Sequence, residues 1–458
     1  METKKNKRST FSGKIGFVLS AAGASVGLGN IWRFPYLAAK YGGGIFLLIY
    51  ILLALTFGYT MIVAESALGR MTRKSPVGAF KAFGKKAGWL SFGGWINAII
   101  PVLIVPYYSV IGGWVIKYLI EYVKGNGTKL AADGYFSEFI SNGASTEICF
   151  VIFCLFTLSI IYAGVRNGIE RVSKFMMPIL VVLSVIIAIY SVTRPGAIEG
   201  VKYFLVPNLK NFSWMTVVAA MGQMFYSLSI AMGILVTFGS YMRKDTSIED
   251  STRNVEIFDT AIAMMAGLMI IPAVFAFSGG DPDTLQAGPS LMFITIPKVF
   301  ANMGFGTAVG ILFFVLVLFA AVTSSIALTE SAVSTFEDEL GWGRKKATVL
   351  TGVIMIALGT LSCLGYGPLD FVKIIGMQFL DFFDFLTNSV MMPIAALMTS
   401  LLVSRVIGVD KIEEEIRHGE SAFRRKKIFV VMIKYLCPIF ALIILASSVA
   451  NAFGWIVM

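Results

Sequence analysis

Residues 22–36 read AGASVGLGNIWRFPY and interrupt the first long apolar segment of the chain. Each glycine in a helix interior costs about 1 kcal/mol relative to alanine, and a charged residue at the centre of a membrane span costs about 2.5–3.5 kcal/mol. A packing face of small residues explains an isolated Gly-x-x-x-Gly pattern. It does not explain why Asn30, Arg33 and Pro35 follow so closely. The stretch therefore predicts a local unwinding whose free carbonyl and N–H groups bind something inside a helix bundle.

The composition of the whole chain indicates an all-α polytopic membrane protein. Of its 458 residues, 57% are hydrophobic and only 14% are charged, which is far too apolar for a water-soluble domain of this size. Eleven apolar runs are long enough to span a bilayer as helices. Their centres lie near Gly27, Leu55, Val105, Leu155, Val185, Ser229, Gly267, Phe319, Ala357, Met392 and Phe440.

The distribution of positive charge predicts the orientation. Most Lys and Arg residues lie in the N-terminal tail and in the loops after the even-numbered helices, and such residues favour the cytoplasmic side. We therefore expect a multi-pass protein of the plasma (inner) membrane with a cytoplasmic N-terminus and an external C-terminus. The net charge of +11 then reflects topology rather than nucleic-acid binding. The four scattered cysteines and single histidine match no metal-ligand spacing, which argues against a metal or redox enzyme.

A second interruption occurs in the sixth apolar run, GQMFYSLSIAMGILVTFGSY at residues 222–241. Each interruption opens a block of five helices, and such a pair predicts a transporter with a binding site near the middle of the membrane. We treat 1–458 as one transporter domain. Its predicted parts are a cytoplasmic tail at 1–12, helices 1–5 at 13–195, helices 6–10 at 213–405 and helix 11 at 423–458.

Three motifs resemble the neurotransmitter:sodium symporters, the LeuT-type transporters of amino acids and amines. They are GASVGLGNIWRFP at 23–35, GQMFYSLS at 222–229 and AAVTSSIALTESAVSTFEDEL at 320–340. The resemblance implies a 5+5 inverted repeat plus one extra helix, with helices 1 and 6 unwound at mid-membrane. It also implies alternating access, in which spans 1, 2, 6 and 7 rock against spans 3, 4, 8 and 9.

The resemblance further implies two sodium ions, each held by oxygen atoms as a hard cation requires. The first would bind the substrate carboxylate together with Ser25, Asn30, Ser227 and Asp259. The second would bind carbonyls of Gly23, Val26 and Ala320 and hydroxyls of Thr323 and Ser324. For the last two residues the alternative is a hydrogen bond back to their own helix.

Asp259 departs from the family pattern, because many relatives carry asparagine there. Chloride-dependent relatives hold an anion near this sodium site, so we expect Asp259 to supply that negative charge and make transport independent of chloride. The alternative is a carboxylate solvated at the cytoplasmic end of span 7.

The predicted substrate is a neutral and hydrophobic L-amino acid. Monoamine carriers of the family have aspartate at the position of Gly27, whereas glycine leaves no charge for a substrate lacking its own carboxylate. By resemblance Tyr108 holds that carboxylate, although packing alone also explains the Tyr107–Tyr108 pair. The predicted substrate-binding residues are Ala24, Ser25, Gly27, Leu28, Gly29, Ile104, Tyr108, Tyr226, Ser227, Ser229, Met232, Ser324 and Leu328.

Charge pairs at both ends of the pathway are predicted to act as gates, since each is satisfied only when its own side is shut. The predicted gate residues are Arg33, Asp384 and Gln223 on the outer side and Arg8, Asp338 and Tyr241 on the inner side. Phe11 replaces the usual tryptophan of the tail, which predicts a weaker inner plug. Glu65 is expected to brace the second interruption. A substrate sensor or an uncoupled channel on the same fold remains the alternative function.

Overall fold

The computed structural model describes residues 8–279 and 288–456. Within these ranges the chain is helical and has no strands. The long helices and the halves of interrupted ones are, in order, α1 Lys14–Ser25, α2 Gly29–Lys40, α3 Gly44–Thr72, α4 Gly88–Val123, α5 Gly143–Tyr162, α6 Val165–Val192, α7 Trp214–Ser227, α8 Ile234–Ser240, α9 Ile248–Ser278, α10 Gly306–Leu340, α11 Arg344–Leu364, α12 Phe379–Ile407 and α13 Lys426–Ala452. Shorter helices include Pro76–Lys81, Gly127–Leu130, Tyr135–Ser141, Ala197–Leu205, Leu291–Ala301 and Val409–Arg417.

Among the described residues, nine helices are long and apolar enough to cross a membrane, and α1 with α2 forms a tenth candidate. The two halves of that candidate are bent by 53° across residues 26–28. This is the break that the opening stretch predicts.

The second break separates α7 from α8 at residues 228–233. Three alternate residues there adopt left-handed backbone, with φ of +54° at Ser229, +61° at Ala231 and +69° at Gly233. A left-handed residue with a side chain costs roughly 1–2 kcal/mol, so Ser229 and Ala231 hold this geometry only because neighbours impose it. If α7 and α8 form one interrupted span the total is eleven. That count, the repeat boundaries and the depth of the breaks in a bilayer stay predictions.

The two breaks meet at the centre of the bundle. Helix α10 packs against α4 and α1, α1 also packs against α9, and α3 packs against α8. The Ser229 hydroxyl donates to the Ala24 carbonyl at 3.0 Å, and the Gln223 amide donates to the Gly29 carbonyl at 3.0 Å. These two hydrogen bonds join the helices that flank the first break to the second break and to α7. Residues 26–28 and 228–233 are all buried, which places irregular backbone inside the protein.

Candidate functional site

A small cavity of about 30 Å³ lies between the two breaks. None of the described residues that line it carries a charged side chain. Its walls contain every residue predicted to bind substrate and, in addition, Asn30: Ala24, Ser25, Gly27, Leu28, Gly29, Asn30, Ile104, Tyr108, Tyr226, Ser227, Ser229, Met232, Ser324 and Leu328. The structure therefore brings these residues together, while their roles stay predictions.

One end of the cavity is polar and very close-packed around Gly27. A Cβ atom on Gly27 would lie 2.6 Å from the Ser324 hydroxyl oxygen and 3.2 Å from the Tyr108 hydroxyl oxygen. The Leu28 N–H donates to the same Tyr108 oxygen at 3.4 Å. Hydroxyl and N–H groups thus converge at the bare backbone of Gly27, an arrangement that suits a carboxylate.

Asp259 lies beside this end and is fully buried. Its Oδ1 accepts hydrogen bonds from the Asn30 amide at 2.9 Å and from the Ser227 hydroxyl at 2.7 Å. The prediction of a solvated carboxylate at a helix end is therefore wrong. Three of the four residues predicted for the first sodium site are therefore joined, because Asn30 and Ser227 both donate to Asp259. The fourth, Ser25, lines the adjoining cavity, and its hydroxyl donates to the Ala21 carbonyl at 3.1 Å.

Tyr50 is a member of this cluster that the sequence did not single out. Its hydroxyl donates to Asp259 Oδ2 at 2.7 Å and lies 3.1 Å from the Ser227 oxygen. The available signal was a phenol inside the otherwise apolar run FLLIYILLAL at 46–55. A buried polar group requires a partner, but the sequence does not say on which helix that partner lies.

The two hydroxyl side chains predicted for the second sodium site have different partners. The Ser324 hydroxyl lies 3.3 Å from the Gly23 carbonyl and 3.5 Å from the Val26 carbonyl, so it faces the first break. The Thr323 hydroxyl donates to Phe319 and Ala320 carbonyls of its own helix at 2.9 and 3.2 Å. Carbonyl and hydroxyl oxygens are nonetheless concentrated here, which is the donor chemistry that a hard cation prefers.

The sequence profile of the Sodium:neurotransmitter symporter family matches residues 8–131 and 135–454. The chain belongs to this family. It is accordingly a multi-pass, sodium-dependent transporter and not an enzyme. The number of sodium ions is not decided by this membership.

Individual relatives match along nearly the whole chain. A sodium-dependent transporter of Bacillus subtilis (strain 168), YhdH, is 35% identical over 445 residues, which are 96% of this chain and 97% of the relative. A sodium-dependent transporter of Haemophilus influenzae is 32% identical over 463 residues, covering 98% of this chain and 100% of the relative. The crystal structure of MhsT in complex with L-phenylalanine is similar with a TM-score of 0.86 and 34% identity, over 96% of this chain and 100% of MhsT. The fold is therefore of the LeuT type.

In this symporter a buried carboxylate is hydrogen-bonded to the second break. Glu65 Oε1 accepts the Ala231 N–H at 2.8 Å, and the side chain is fully buried in α3. Because Ala231 has left-handed backbone, its N–H cannot be satisfied within a regular helix. The brace predicted for Glu65 is consistent with this contact, and its role in transport stays a prediction.

Replacement of Glu65 with alanine is expected to lower uptake strongly, whereas Glu65→Gln should retain most of it. Alanine leaves the Ala231 N–H buried without an acceptor, at a cost of about 1–3 kcal/mol, while glutamine keeps an acceptor oxygen in the same place. Initial uptake rates in proteoliposomes, normalised to the amount of folded protein, test this expectation. Equal losses in both variants would show that the charge, rather than the hydrogen bond, matters.

The predicted inner gate residues form one closed cluster. The Arg8 guanidinium donates to Asp338 at 2.7 Å, to Ser334 at 2.8 Å, and to Ser240 at 2.9 Å, and lies 4.9 Å from the Tyr241 ring centroid. The three residues predicted for the inner gate are thus in contact, while their role as a gate stays a prediction.

Two neighbours of this cluster extend it. Phe11 is buried, and its ring centroid is 5.6 Å from that of Phe238 and 6.0 Å from that of Tyr241. The Tyr241 hydroxyl donates to buried Glu330 at 2.6 Å, and Glu330 also pairs with Arg344 at 2.5 Å. Glu330 and Arg344 were not predicted from the sequence. A weaker plug due to Phe11 stays a prediction.

The predicted outer gate residues line a second and larger cavity. This vestibule has a volume of about 360 Å³, and Tyr226 lines both the vestibule and the inner cavity. Arg33 lies 5.2 Å above the Tyr226 ring centroid. Asp384 accepts hydrogen bonds from Tyr107 at 3.2 Å and from Asn388 at 2.6 Å, and it forms no ion pair with Arg33 within 4.0 Å. The charged residues of the inner set are thus paired, whereas Arg33 and Asp384 both line the vestibule without an ion pair between them.

Proposed function

We propose that this symporter imports a neutral, apolar L-α-amino acid together with sodium. The observation that carries the proposal is the cavity at Gly27, which combines an uncharged lining with hydroxyl and N–H groups at one end. A substrate that fits must bring its own carboxylate to the polar end. Its side chain would then lie against Ile104, Met232 and Leu328, and pliable methionine accommodates aliphatic and aromatic groups. MhsT, a similar protein of known structure, holds L-phenylalanine.

The proposal includes two sodium ions as co-transported substrates. One would bind with the substrate carboxylate at Asn30, Ser227 and Asp259, so that sodium and amino acid raise each other's affinity. The other would bind at the oxygen-rich contact between Val26 and Ser324. Two positive charges crossing a potential of 100 mV contribute at most about 4.6 kcal/mol, from roughly 2.3 kcal/mol each.

We further propose that transport does not require chloride. A sodium ion in a buried site needs a compensating negative charge, and the carboxylate of Asp259 is present within that site. Chloride dependence of uptake by the unaltered protein would overturn this part of the proposal.

The arrangement of the gates supports a carrier over a sensor or a channel. The inner cluster is shut while the outer pair is apart, and alternation between this state and its opposite moves substrate without a continuous pore. We place the protein in the plasma membrane with the N-terminus inside, so that this vestibule faces the exterior.

Uptake by proteoliposomes tests the proposal directly. An inward sodium gradient should drive accumulation of apolar amino acids, whereas potassium in place of sodium, or an amine without a carboxylate, should give none. Chloride is replaced with gluconate in a parallel series. Substrate binding without accumulation would favour a sensor, and equilibration without accumulation would favour a channel.

A further inference from the structure

A single buried arginine joins three segments that are distant in sequence. Arg70, at the C-terminal end of α3, is fully buried. It pairs with Glu415 at 2.6 Å, donates to the Glu415 carbonyl, and donates to the Thr246 carbonyl at 2.6 Å. Thr246 precedes α9, and Glu415 lies in the helix Val409–Arg417 that follows α12. We refer to residues 409–425 as the strap.

The far end of the strap is attached to α9 and α3 as well. Glu249, in the first turn of α9, accepts the N–H groups of Arg424 at 2.7 Å and Arg425 at 3.1 Å and the hydroxyl of Tyr59. In return, the Glu249 N–H donates to Glu420 at 2.7 Å. The Arg425 guanidinium also lies 4.7 Å from the ring centroid of Tyr59. The strap is therefore bonded to α3 at Glu415, and its far end is bonded to α9 and lies against Tyr59 of α3.

The burial of these contacts distinguishes them from a gate. In the Arg70–Glu415 pair the side chains are 0% and 7% exposed, against 16% and 25% in the Arg8–Asp338 pair. Separating a fully buried pair leaves an uncompensated charge in the protein interior, which is strongly unfavourable, whereas partly exposed charges regain water. Two apolar strap residues, Ile412 and Ile416, are also fully buried, and their helix packs against α3. These contacts suit a permanent joint.

A glycine with left-handed backbone stands where the strap leaves α12. Gly408 has a φ of +85°, and a Cβ atom there would meet nothing within 4 Å. The left-handed conformation is accessible to glycine at little cost. The space on its Cβ side leaves room for rotation, and the Gly408 N–H donates to the Val403 carbonyl at the end of α12 at 3.0 Å.

We propose that the strap moves with α3, α8 and α9 as one rigid unit and that Gly408 is the joint to α12. The proposal rests on the alternating-access function above, in which the helices bonded to the strap belong to the moving group. The strap is then a member of the moving group, although its two ends are covalently continuous with α12 and α13.

Distances between spin labels test this assignment. Three exposed residues serve as labelling sites: Glu414 on the strap, Arg253 on α9 and Lys346 on α11. Each double variant replaces two of them with cysteine. The four native cysteines are buried, and labelling of the unaltered protein controls for them. The distances are measured by pulsed electron–electron double resonance, once in sodium chloride and once in potassium chloride.

The expected result is that the 253–346 and 414–346 distances shift together between the two salts while the 414–253 distance stays in place. A shift of 414–253 with a constant 414–346 distance would overturn the strap assignment and leave alternating access intact. A constant 253–346 distance would overturn the rocking motion itself and the strap proposal with it. Sodium-driven uptake, measured on the same samples, separates that result from loss of function.

A variant that lacks the charge of Arg70 provides a second test of the proposal. Arg70→Gln removes the buried charge, so the 414–253 distance distribution should broaden and the sodium-driven uptake rate should fall severalfold. The matched control is Arg417→Gln on the strap helix Val409–Arg417, whose pair with Glu413 is exposed on the arginine side. It should leave both quantities unchanged. An unaltered 414–253 distribution in folded Arg70→Gln protein would contradict the role of this pair as the joint.

Discussion

Replacement of Gly27 with alanine is expected to lower kcat/KM for amino-acid uptake by roughly 10- to 100-fold. The added methyl group would lie 2.6 Å from the Ser324 hydroxyl oxygen and 3.2 Å from that of Tyr108. Forcing extra volume into a packed site costs about 1–3 kcal/mol, and each 1.4 kcal/mol is about a tenfold change in affinity. Sodium-driven uptake and equilibrium binding of the best substrate in the screen measure the loss.

Gly222 provides the matched control, because a Cβ atom there would meet nothing within 4 Å. It lies in α7, near the cavity but without a close neighbour. Gly222→Ala should therefore leave kcat/KM nearly unchanged. If Gly27→Ala protein folds and transports at the rate of the unaltered protein, the proposed position of the substrate carboxylate is incorrect.

Replacement of Asp259 with asparagine is expected to remove most sodium-driven uptake in chloride-free medium, by about 100-fold or more. The variant keeps a hydrogen-bonding side chain beside Asn30, Ser227 and Tyr50 but loses the negative charge that would offset a buried sodium ion. Removing one partner of a buried charge pair costs about 3–5 kcal/mol. Added chloride should restore part of the rate, because the anion can supply the missing charge.

The control for charge alone is Asp245→Asn, which removes an exposed carboxylate paired with Arg243. Exposed pairs contribute about 0–1 kcal/mol, so its uptake should match that of the unaltered protein. The dependence of the rate on sodium concentration should also weaken in Asp259→Asn and not in Asp245→Asn. Full activity of Asp259→Asn without chloride would contradict the proposed role of Asp259.

Much of the central site was predictable because its chemistry is local in sequence. Gly27 and Asn30 stand within one short stretch whose composition is incompatible with a continuous helix, and the unwinding follows from that composition. Ser324 was predicted as a partner of this stretch, and its hydroxyl indeed faces the carbonyls of Gly23, Ala24 and Val26. Its neighbour Thr323 bonds to its own helix. Adjacent residues on a helix point in different directions. The sequence therefore cannot say which of the two hydroxyl groups faces the break, because that depends on the rotation of α10 about its axis.

Partners that are distant in sequence were the harder part. Tyr50 and Asp259 are 209 residues apart, and Arg70 and Glu415 are 345 apart. In each case a polar residue in an apolar run requires a partner, but many helices offer one. Only the packing of helices selects which partner is met.

By itself, the sequence determined that this chain is a bundle of membrane helices with two interruptions, because hydropathy over about 20 residues and the presence of helix-breaking residues are properties of single segments. It also pointed to an uncharged cavity at Gly27, because an absent side chain is read from one letter. The tertiary structure decided that the two interruptions face each other, that Tyr50 completes the cluster of Asp259, and that the strap joins α3 to α9. These features depend on which surfaces of separate helices pack together, and that choice is made by the free energy of the whole bundle rather than by any one segment.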